Sequence, residues 1–405
     1  MKRLQGTLTL PGSKSESNRA LMIAAYGGFP LDADNLSDAH DTILLKSLLE
    51  RIHAGKSTDA VVLDCEDAGT VFRFLTTYLA GKPGTWVLTG TPRLFERPMA
   101  PLIGALRQLG ADIAPGSSLR IVGKPMVGGC VTLDASLSSQ FASSLLMAAP
   151  TWERGLQLTL TGSLVSMPYL EMTLSMMRRF GIDVVRKGNT ISVAHQPYHS
   201  CHFTVSADWS AASYWYEMLA LSAGGSLLLK GLKCETLQGD AQVADFFKPL
   251  GIVTEYTNDG VLITSSGPLQ SVEEPLEFDF LDTPDLFPSV FVSCIVLHVE
   301  SVFYHITTLY NKESDRVNSL VAELLKYYTF INIIDNNNLI IFQSSFKNST
   351  INKKGISFTT YDDHRIAMAL AGLKVRFDGV VFDRPDVVNK SYPAFWDDVQ
   401  RVMDA

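Results

Sequence analysis

The sequence predicts an α+β fold that is assembled from repeated helix–strand units. Three segments carry this repeat, because each joins an amphipathic helix that ends in an apolar residue and Gly to a pair of β-type residues. The segments are 101–113 (PLIGALRQLGADI), 171–184 (EMTLSMMRRFGIDV) and 244–254 (ADFFKPLGIVT). Their spacing of about 70 residues indicates an internal repeat. The chain lacks the Gly-x-Gly-x-x-Gly turn that is typical of a dinucleotide-binding fold.

The remaining elements follow from local patterns along the chain. A short strand that contains Leu8 and Leu10 leads through a Pro-Gly turn into a helix over residues 17–26. A second helix is predicted over 41–53, and residues 317–330 form a weaker copy of the repeat that lacks the Gly. Apolar runs rich in β-type residues predict strands at 86–89, 156–160, 226–229 and 261–264. In segment 330–355, an Asp-Asn-Asn-Asn turn joins two apolar strands, 330–334 and 339–342, and we expect only a scaffold role.

Composition limits the class of protein. The chain has 405 residues, which is enough for two domains, and its net charge of −8 argues against a general nucleic-acid binder. Five scattered cysteines form no C-x-x-C pair, which is typical of reduced thiols. No apolar run follows Lys2 and Arg3, and the most apolar stretch, 290–303, is too short to span a bilayer. We therefore expect a cytoplasmic protein without a membrane or nucleic-acid partner.

Residues 10–19 (LPGSKSESNR) are the most informative segment. Ser13, Lys14, Ser15 and Arg19 gather hydroxyls and two cations at a helix start, where unpaired N–H groups and the helix dipole already attract anions. The segment is equally typical of a capped surface helix with solvated charges. Recurrence of the same chemistry at distant points of the chain favours an anion site.

Four further motifs place polar side chains at predicted helix starts. Residues 67–73 (DAGTVFR) put Gly69 and Thr70 at a turn with Arg73 one helical turn later, and residues 138–140 (SSQ) open an apolar helix. Residues 312–316 (KESDR) bring Lys312 and Arg316 to one helix face, and residues 363–365 (DHR) precede another apolar helix. Each motif alone is also typical of simple capping or of a solvated helix face.

Two other patterns are weaker. Residues 54–58 (AGKST) resemble the end of a P-loop, but Glu50 occupies the position of its first Gly, so a helix end is the better interpretation. His195, His199, Cys201 and His202 lie close together, yet their spacing fits no standard zinc pattern. We therefore predict no metal site.

Nine motifs in order give the chain its family resemblance. They are 10–20 (LPGSKSESNRA), 67–73 (DAGTVFR), 92–98 (PRLFERP), 138–141 (SSQF), 164–169 (LVSMPY), 283–285 (TPD), 312–316 (KESDR), 362–368 (DDHRIAM) and 389–393 (NKSYP). Together they resemble the 5-enolpyruvylshikimate-3-phosphate (EPSP) synthase family over nearly the whole chain. The family usually has Asn where this chain has Asp67, so we leave Asp67 out of the predicted site.

The resemblance implies a two-lobed, inside-out α/β barrel in which each lobe contains three βαβαββ units. The carboxyl-terminal lobe would comprise residues 1–10 with 208–405, and the amino-terminal lobe residues 11–207. The hinge would lie near 10–12 and 205–208, and we expect an open enzyme that closes when substrates bind.

The resemblance also implies an enolpyruvyl transferase of the shikimate pathway, which supplies aromatic amino-acid biosynthesis. Its catalytic residues would be Asp285, Glu313, Lys14 and His364. Shikimate 3-phosphate would contact Lys14, Ser15, Arg19, Ser138, Ser139, Gln140, Ser166, Tyr169, Asp285 and Lys312. Phosphoenolpyruvate would contact Lys14, Gly69, Thr70, Arg97, Gln140, Arg316, Arg365 and Lys390.

The chemistry fits these cations, because both substrates carry a carboxylate and a phosphate that Arg and Lys bind well. No metal or organic cofactor is required, and we expect a monomer. Two alternatives stay open: a UDP-N-acetylglucosamine enolpyruvyl transferase, and a catalytically silent relative that only binds anions. The Ser-Lys-Ser order at residues 13–15 disfavours the first, and retention of Asp285, Glu313 and Lys14 disfavours the second.

Overall fold

The computed structural model describes residues 1–54, 60–269, 272, 274–335, 338–347 and 355–404. The P-loop-like residues 55–58 therefore lie outside the described residues. The chain divides into two compact units. The C-terminal unit comprises Met1–Ser13, Asp38–His40 and Ser206–Ala405, and the N-terminal unit comprises Lys14–Ser37 and Asp41–Val205. The inclusion of residues 38–40 in the C-terminal unit was not expected from the sequence.

The N-terminal unit contains two four-stranded sheets of the same topology. In each, a parallel pair of strands is extended by two antiparallel strands, and a two-stranded parallel sheet accompanies them. In sheet order, the strands are Val61–Asp64, Gly84–Thr89, Leu119–Gly123 and Asp112–Pro115; then Gly129–Asp134, Leu156–Thr161, Thr190–Val193 and Val184–Lys187; then Phe203–Thr204 and Ala33–Asp34.

The C-terminal unit repeats this pattern. Its strands, in sheet order, are Leu4–Thr9, Gly225–Lys230, Gly260–Ser265 and Val253–Thr257; then Leu276–Asp279, Ser301–Tyr304, Asn338–Phe346 and Tyr328–Asp335; then Ile356–Phe358 and Val380–Phe382. The predicted internal repeat is thus confirmed, although the third sheet of each unit has only two described strands.

Helices fill the inside of each unit, and the sheets face outward on one side. The α-helices of the N-terminal unit are Lys14–Gly27, His40–Ala54 (which starts at the last residue assigned to the other unit), Gly69–Ala80, Pro92–Glu96, Ala100–Gln108, Ser139–Ala148 and Met167–Arg179. Those of the C-terminal unit are Trp209–Leu221, Val243–Phe247, Phe287–Leu297, Arg316–Leu325, His364–Ala371 and Phe395–Asp404. Trp209–Leu221 is buried at every residue except Ser210, as expected of a helix that is apolar on all sides. Strands such as Leu156–Thr161 alternate buried and accessible residues, so one sheet face meets solvent.

Some sequence-based boundaries were wrong. The first helix begins at Lys14 rather than at residue 17, so the motif cations lie within its first turns and not before it. The third predicted repeat helix is shorter than expected, at Val243–Phe247, because Pro249 cannot continue a helix. Within the described residues, no helix is both long and apolar enough to cross a bilayer.

The two crossing segments, residues 10–13 and 205–208, lie side by side. Ser13 N donates to Ser206 O at 2.8 Å, and Asp208 N donates to Pro11 O at 2.9 Å. Gly12 and Ala207 form an isolated antiparallel bridge between them. Movement about this paired segment, and the exact lobe boundaries, stay predictions.

A buried carboxylic acid lies within the helical layer of the C-terminal unit. Glu217 is 0% exposed, and neither carboxyl oxygen has a hydrogen-bond partner. Gly372 packs against it so closely that a Cβ there would lie 2.6 Å from Oε1. Burial raises the pKa of Glu217 well above its ordinary value. The folded protein therefore keeps this group protonated where the unfolded chain ionises.

This protonation predicts a pH-dependent stability. Between the ordinary Glu pKa and the raised folded pKa, the unfolded state releases a proton that the folded state retains, so stability falls as pH rises. The Glu217→Gln variant lacks this group, and its unfolding free energy relative to wild type should improve by up to about 1.4 kcal/mol per pH unit above pH 5. Denaturant unfolding of both proteins at pH 5, 6 and 7 measures the difference. If the unfolding free energies of wild type and Glu217→Gln change equally with pH, the pKa of Glu217 is not raised by folding.

Candidate active site

The first helix of the N-terminal unit presents the predicted Lys14 and Arg19. Lys14 Nζ donates to Asp41 Oδ2 at 3.0 Å, and both side chains are largely buried. Asp41 begins the predicted 41–53 helix, and its acidic side chain gave no sequence signal that it would reach Lys14. The ion pair holds the Lys14 ammonium in place at the helix start.

Arg19 is a buried cation that contacts neutral oxygens. It is 2% exposed, and burial lowers its pKa to about 10. Its guanidinium donates to Thr173 Oγ1 at 2.7 Å, Ser15 O at 3.0 Å, Tyr169 O at 3.1 Å and Ser143 Oγ at 3.4 Å. These bonds use four of the five N–H donors of a guanidinium. A carboxylate could therefore form two new hydrogen bonds with Arg19 only if one of these contacts breaks.

Gly69 and Arg97 form a second cationic corner. The helix Gly69–Ala80 begins without a side-chain cap. A Cβ on Gly69 would lie 2.6 Å from Arg97 Nη1 and 2.8 Å from its Cζ, so the guanidinium packs directly on the helix start. Glycine leaves the space that the Arg97 guanidinium occupies, and a larger residue would displace that guanidinium. A guanidinium beside an uncapped helix N-terminus attracts anions strongly.

Gln140 joins this corner from the helix Ser139–Ala148. Its Nε2 donates to Thr70 Oγ1 at 3.1 Å, and its Oε1 accepts from Arg73 Nη1 at 2.6 Å. Ser138 caps the same helix by accepting from Gln140 N at 3.2 Å. Capping and ligand contact are compatible, because the Ser138 hydroxyl can still donate its proton.

Ser139, Ser166 and Tyr169 complete the predicted set in this unit. Ser139 and Ser166 are both buried. Ser166 has φ 56°, a left-handed conformation that is rare for Ser, and it directly precedes the helix Met167–Arg179. Tyr169 lies in the first turn of that helix and is bound through its carbonyl to Arg19. The left-handed backbone conformation of Ser166 is a kind of strain that is typical of ligand-binding positions.

The C-terminal unit contains a network of arginines and carboxylates. Arg316 is 1% exposed, and its three nitrogens donate to three carboxylates. Nε bonds Asp363 at 2.9 Å, Nη1 bonds Asp285 at 2.9 Å and Nη2 bonds Glu313 at 2.8 Å. Arg365 Nη2 donates to the other Asp285 oxygen at 2.6 Å. Carboxylates within the same unit therefore neutralise both of these arginines.

The network controls the charge of Asp285. Burial alone would raise the pKa of its carboxyl, but Arg365 and Arg316 outweigh burial and hold that pKa well below its ordinary value. For the Arg316 guanidinium, burial acts in the opposite direction and lowers the pKa. The carboxylates of Asp363 and Glu313 outweigh burial, so the pKa of Arg316 is raised above its ordinary value. Asp285 is thus a carboxylate that both arginines stabilise, and it gains basicity when either cation turns to another anion.

Three polar residues that the sequence did not assign to the site support this network. Asp363 accepts from Ser314 Oγ at 3.0 Å as well as from Arg316, and it caps the helix His364–Ala371. The buried Tyr214 hydroxyl accepts from Arg365 Nη1 at 3.2 Å. Burial, and then the charge of Asp285, raise the pKa of Asp240 to about 7. Tyr214 lies 151 positions from Arg365, Asp363 lies 47 from Arg316 and Asp240 lies 45 from Asp285, so only the fold brings these pairs together.

The other predicted residues of this unit lie in neighbouring elements. Lys312 directly follows the turn Thr307–Asn311 and precedes Glu313. The helix begins only at Arg316, so the prediction that Lys312 and Arg316 share a helix face was wrong. His364 is buried, with Nδ1 3.7 Å from Asp363 Oδ1. Lys390 is buried at the end of the turn Pro385–Lys390. Tyr361 and Asp362, which precede Asp363, both have positive φ angles of 53° and 55°.

The His and Cys cluster forms no metal centre in the part of the chain that the structure describes, where no group of three His, Cys, Asp or Glu side chains could hold a metal ion. His202 instead lies 3.3 Å from carboxylate oxygens of both Asp32 and Asp34. This surface contact is consistent with a structural role.

The comparisons with known proteins agree with one another. A family model described as EPSP synthase (3-phosphoshikimate 1-carboxyvinyltransferase) matches residues 1–399. A 3-phosphoshikimate 1-carboxyvinyltransferase of Bacteroides fragilis is 40% identical over 98% of this chain and 95% of its own length. One from Pseudoalteromonas translucida is 32% identical over 100% of this chain and 98% of its own.

Solved structures show the same fold. An EPSP synthase from Acinetobacter baumannii superimposes with a TM-score of 0.74 at 22% identity, covering 99% of this chain and 96% of that one. The enolpyruvyl transferase NikO from Streptomyces tendae has the same TM-score at 14% identity, covering 99% and 95%. At these identities the likeness concerns the fold alone.

Proposed function

The chain belongs to the EPSP synthase family, and we propose on this basis that it transfers the enolpyruvyl group of phosphoenolpyruvate to the 5-hydroxyl of shikimate 3-phosphate. Phosphate is the other product, and the reaction is a step of the shikimate pathway. The observation that carries the proposal beyond the family match is the Asp285–Arg316–Glu313 network, since it joins two carboxylates to cations that bind a phosphate or a carboxylate.

The reaction is an addition followed by an elimination. Asp285 accepts the proton of the 5-hydroxyl, whose oxygen bonds to the enol carbon of phosphoenolpyruvate. Glu313, with help from Lys14, delivers a proton to the methylene carbon, which gives a tetrahedral ketal. Glu313 then takes a proton back from the new methyl group while the C–O bond to phosphate breaks. His364 lies beside Asp363 and completes the proposed catalytic set.

Substrate binding activates these carboxylates. In the structure, Arg316 and Arg365 hold Asp285, and Arg316 also holds Glu313. When the anionic groups of phosphoenolpyruvate take over these arginines, together with Lys390, both carboxylates lose a cation and bind protons more readily. The acid–base groups therefore become competent only with the donor in place.

The N-terminal unit supplies the remaining proposed contacts. Gly69, Thr70, Arg97 and Gln140 bind phosphoenolpyruvate. Ser138, Ser139 and Ser166 bind the phosphate of shikimate 3-phosphate, while Ser15, Arg19, Tyr169 and Gln140 contact the rest of that substrate. Lys14 contacts both substrates, and Asp285 and Lys312 of the C-terminal unit also contact shikimate 3-phosphate. Two observations support this assignment: Arg19 is a buried cation whose hydrogen-bond partners are neutral oxygens, and the Arg97 guanidinium packs against Gly69 at a helix start.

A phosphate-release assay tests the function. Phosphate release with phosphoenolpyruvate and shikimate 3-phosphate, unaffected by a metal chelator, is the expected result. Release with UDP-N-acetylglucosamine instead would indicate the other enolpyruvyl transferase, and tight binding without release would indicate a silent anion-binding protein. We also propose a monomer in the cytoplasm, and gel filtration checks the monomer.

A further inference from the structure

Arg73 is a buried cation that neither proposed substrate set includes. It lies one turn into the helix Gly69–Ala80 and is 4% exposed. Its Nη1 donates to Gln140 Oε1 at 2.6 Å, and its guanidinium carbon lies 5.4 Å from the centre of the Phe141 ring. Nη2 lies 3.5 Å from the carbonyl oxygen of Pro98, the residue after Arg97. Arg73 thus contacts one proposed phosphoenolpyruvate residue and the neighbour of another.

The hydrogen bond from Arg73 to Gln140 fixes the orientation of the Gln140 side-chain amide. The two ends of an amide have nearly the same shape, but one accepts hydrogen bonds and the other donates them. A guanidinium has donors only, so only the oxygen end can meet Arg73. The nitrogen end then faces Thr70 Oγ1, 3.1 Å away, and its second N–H stays on the Thr70 side. A reversed amide would set N–H donors against the guanidinium.

We propose that Arg73 is a positioning residue for the donor substrate: it holds Gln140 so that the side chain offers an amide N–H, and not a carbonyl oxygen, to the anion. The inference rests on the proposed function, because it takes Gln140 as a contact of phosphoenolpyruvate. An anion repels a carbonyl oxygen and accepts from an N–H, so the orientation of Gln140 determines whether the residue helps or hinders binding. Arg73 acts through Gln140.

A double-mutant cycle tests the inference. Arg73→Met, Gln140→Ala and the double variant are compared with wild type at saturating shikimate 3-phosphate. Arg73→Met should raise the KM for phosphoenolpyruvate roughly tenfold, within the usual range of coupling for contacting residues, with a smaller change in kcat. In the Gln140→Ala background, the same Arg73 substitution should change that KM less than about twofold. Arg73→Lys, which keeps the charge and a donor, should recover part of the loss.

Ser144→Ala provides the matched control. Ser144 Oγ donates to Arg73 O at 3.0 Å and can accept from Thr77 Oγ1, 2.6 Å away, so this variant weakens the same pair of packed helices without touching the guanidinium. It should lower the melting temperature and leave the KM for phosphoenolpyruvate unchanged. If Arg73→Met does not fold, the cycle is run with Arg73→Lys, which should show a smaller loss with the same dependence on Gln140.

Two results would overturn the inference. One is a KM for phosphoenolpyruvate that Arg73 variants leave unchanged, and the other is independent effects of Arg73 and Gln140 that multiply in the double variant. Failure of the proposed function appears separately, as wild-type protein that releases no phosphate or as Gln140→Ala protein with an unchanged KM.

Discussion

Replacement of Asp285 by Asn is expected to lower kcat at least ~10²-fold, which is a usual contribution of a general base. Asparagine keeps the shape of the side chain, but its single oxygen can replace only one of the two Asp285 oxygens that accept from Arg316 and Arg365, and it cannot take the hydroxyl proton. Shikimate 3-phosphate should still bind measurably. Single-turnover kinetics and a titration of substrate binding separate these two effects. Glu313→Gln should behave alike, because the amide cannot exchange a proton with carbon.

Glu277→Gln is the control for the Asp285→Asn substitution. Glu277 lies on the exposed face of the strand Leu276–Asp279, just before Asp285 in the chain, and bonds the Tyr304 hydroxyl at 3.2 Å. Its amide variant should retain wild-type turnover. Wild-type turnover in Asp285→Asn protein of unchanged circular dichroism would remove Asp285 from the mechanism.

The sequence predicts local features of the site well, because they depend on neighbouring residues. The Ser138 cap and the Asp363 cap each involve a contact two residues along the chain, and the structure contains both. The predicted Pro-Gly turn before Lys14 was wrong, because Gly12 instead forms an antiparallel bridge with Ala207. The apolar run at 226–229 likewise predicted the strand Gly225–Lys230.

Ion pairing could not be predicted in the same way. Arg365 reaches Asp285 across 80 positions, and Arg19 reaches Thr173 across 154. Nothing in a charge run such as 312–316 says whether its arginine faces solvent, a ligand or a distant carboxylate. The sequence therefore indicated candidate residues for the site, while the ionisation of Asp285 and the limited free donors of Arg19 required the fold.

Arg97→Ala is expected to weaken binding of phosphoenolpyruvate by about 2–5 kcal/mol, the range for loss of one partner of a buried charged pair. The loss corresponds to a roughly 30-fold or larger rise in Kd. Arg97 is buried on the uncapped start of the helix Gly69–Ala80, so its removal takes away the cation at this helix start. Equilibrium titration of phosphoenolpyruvate in the presence of shikimate 3-phosphate measures the change. Arg93→Ala, which removes an exposed cation paired with Glu96 on the same short helix, should leave this Kd unchanged.

Gly69→Ala tests the contact between Gly69 and Arg97 by changing the glycine instead of the arginine. The added Cβ would lie 2.6 Å from Arg97 Nη1, so the guanidinium must move away from the helix start. Donor binding should weaken in the same direction as in Arg97→Ala but by less, since the charge is displaced and not removed. Gly104→Ala is the matched control, because a Cβ there meets nothing within 4 Å and Ala favours its helix. Equal donor affinity in the Gly69→Ala and Gly104→Ala proteins would show that the position of Arg97 against Gly69 does not matter for donor binding.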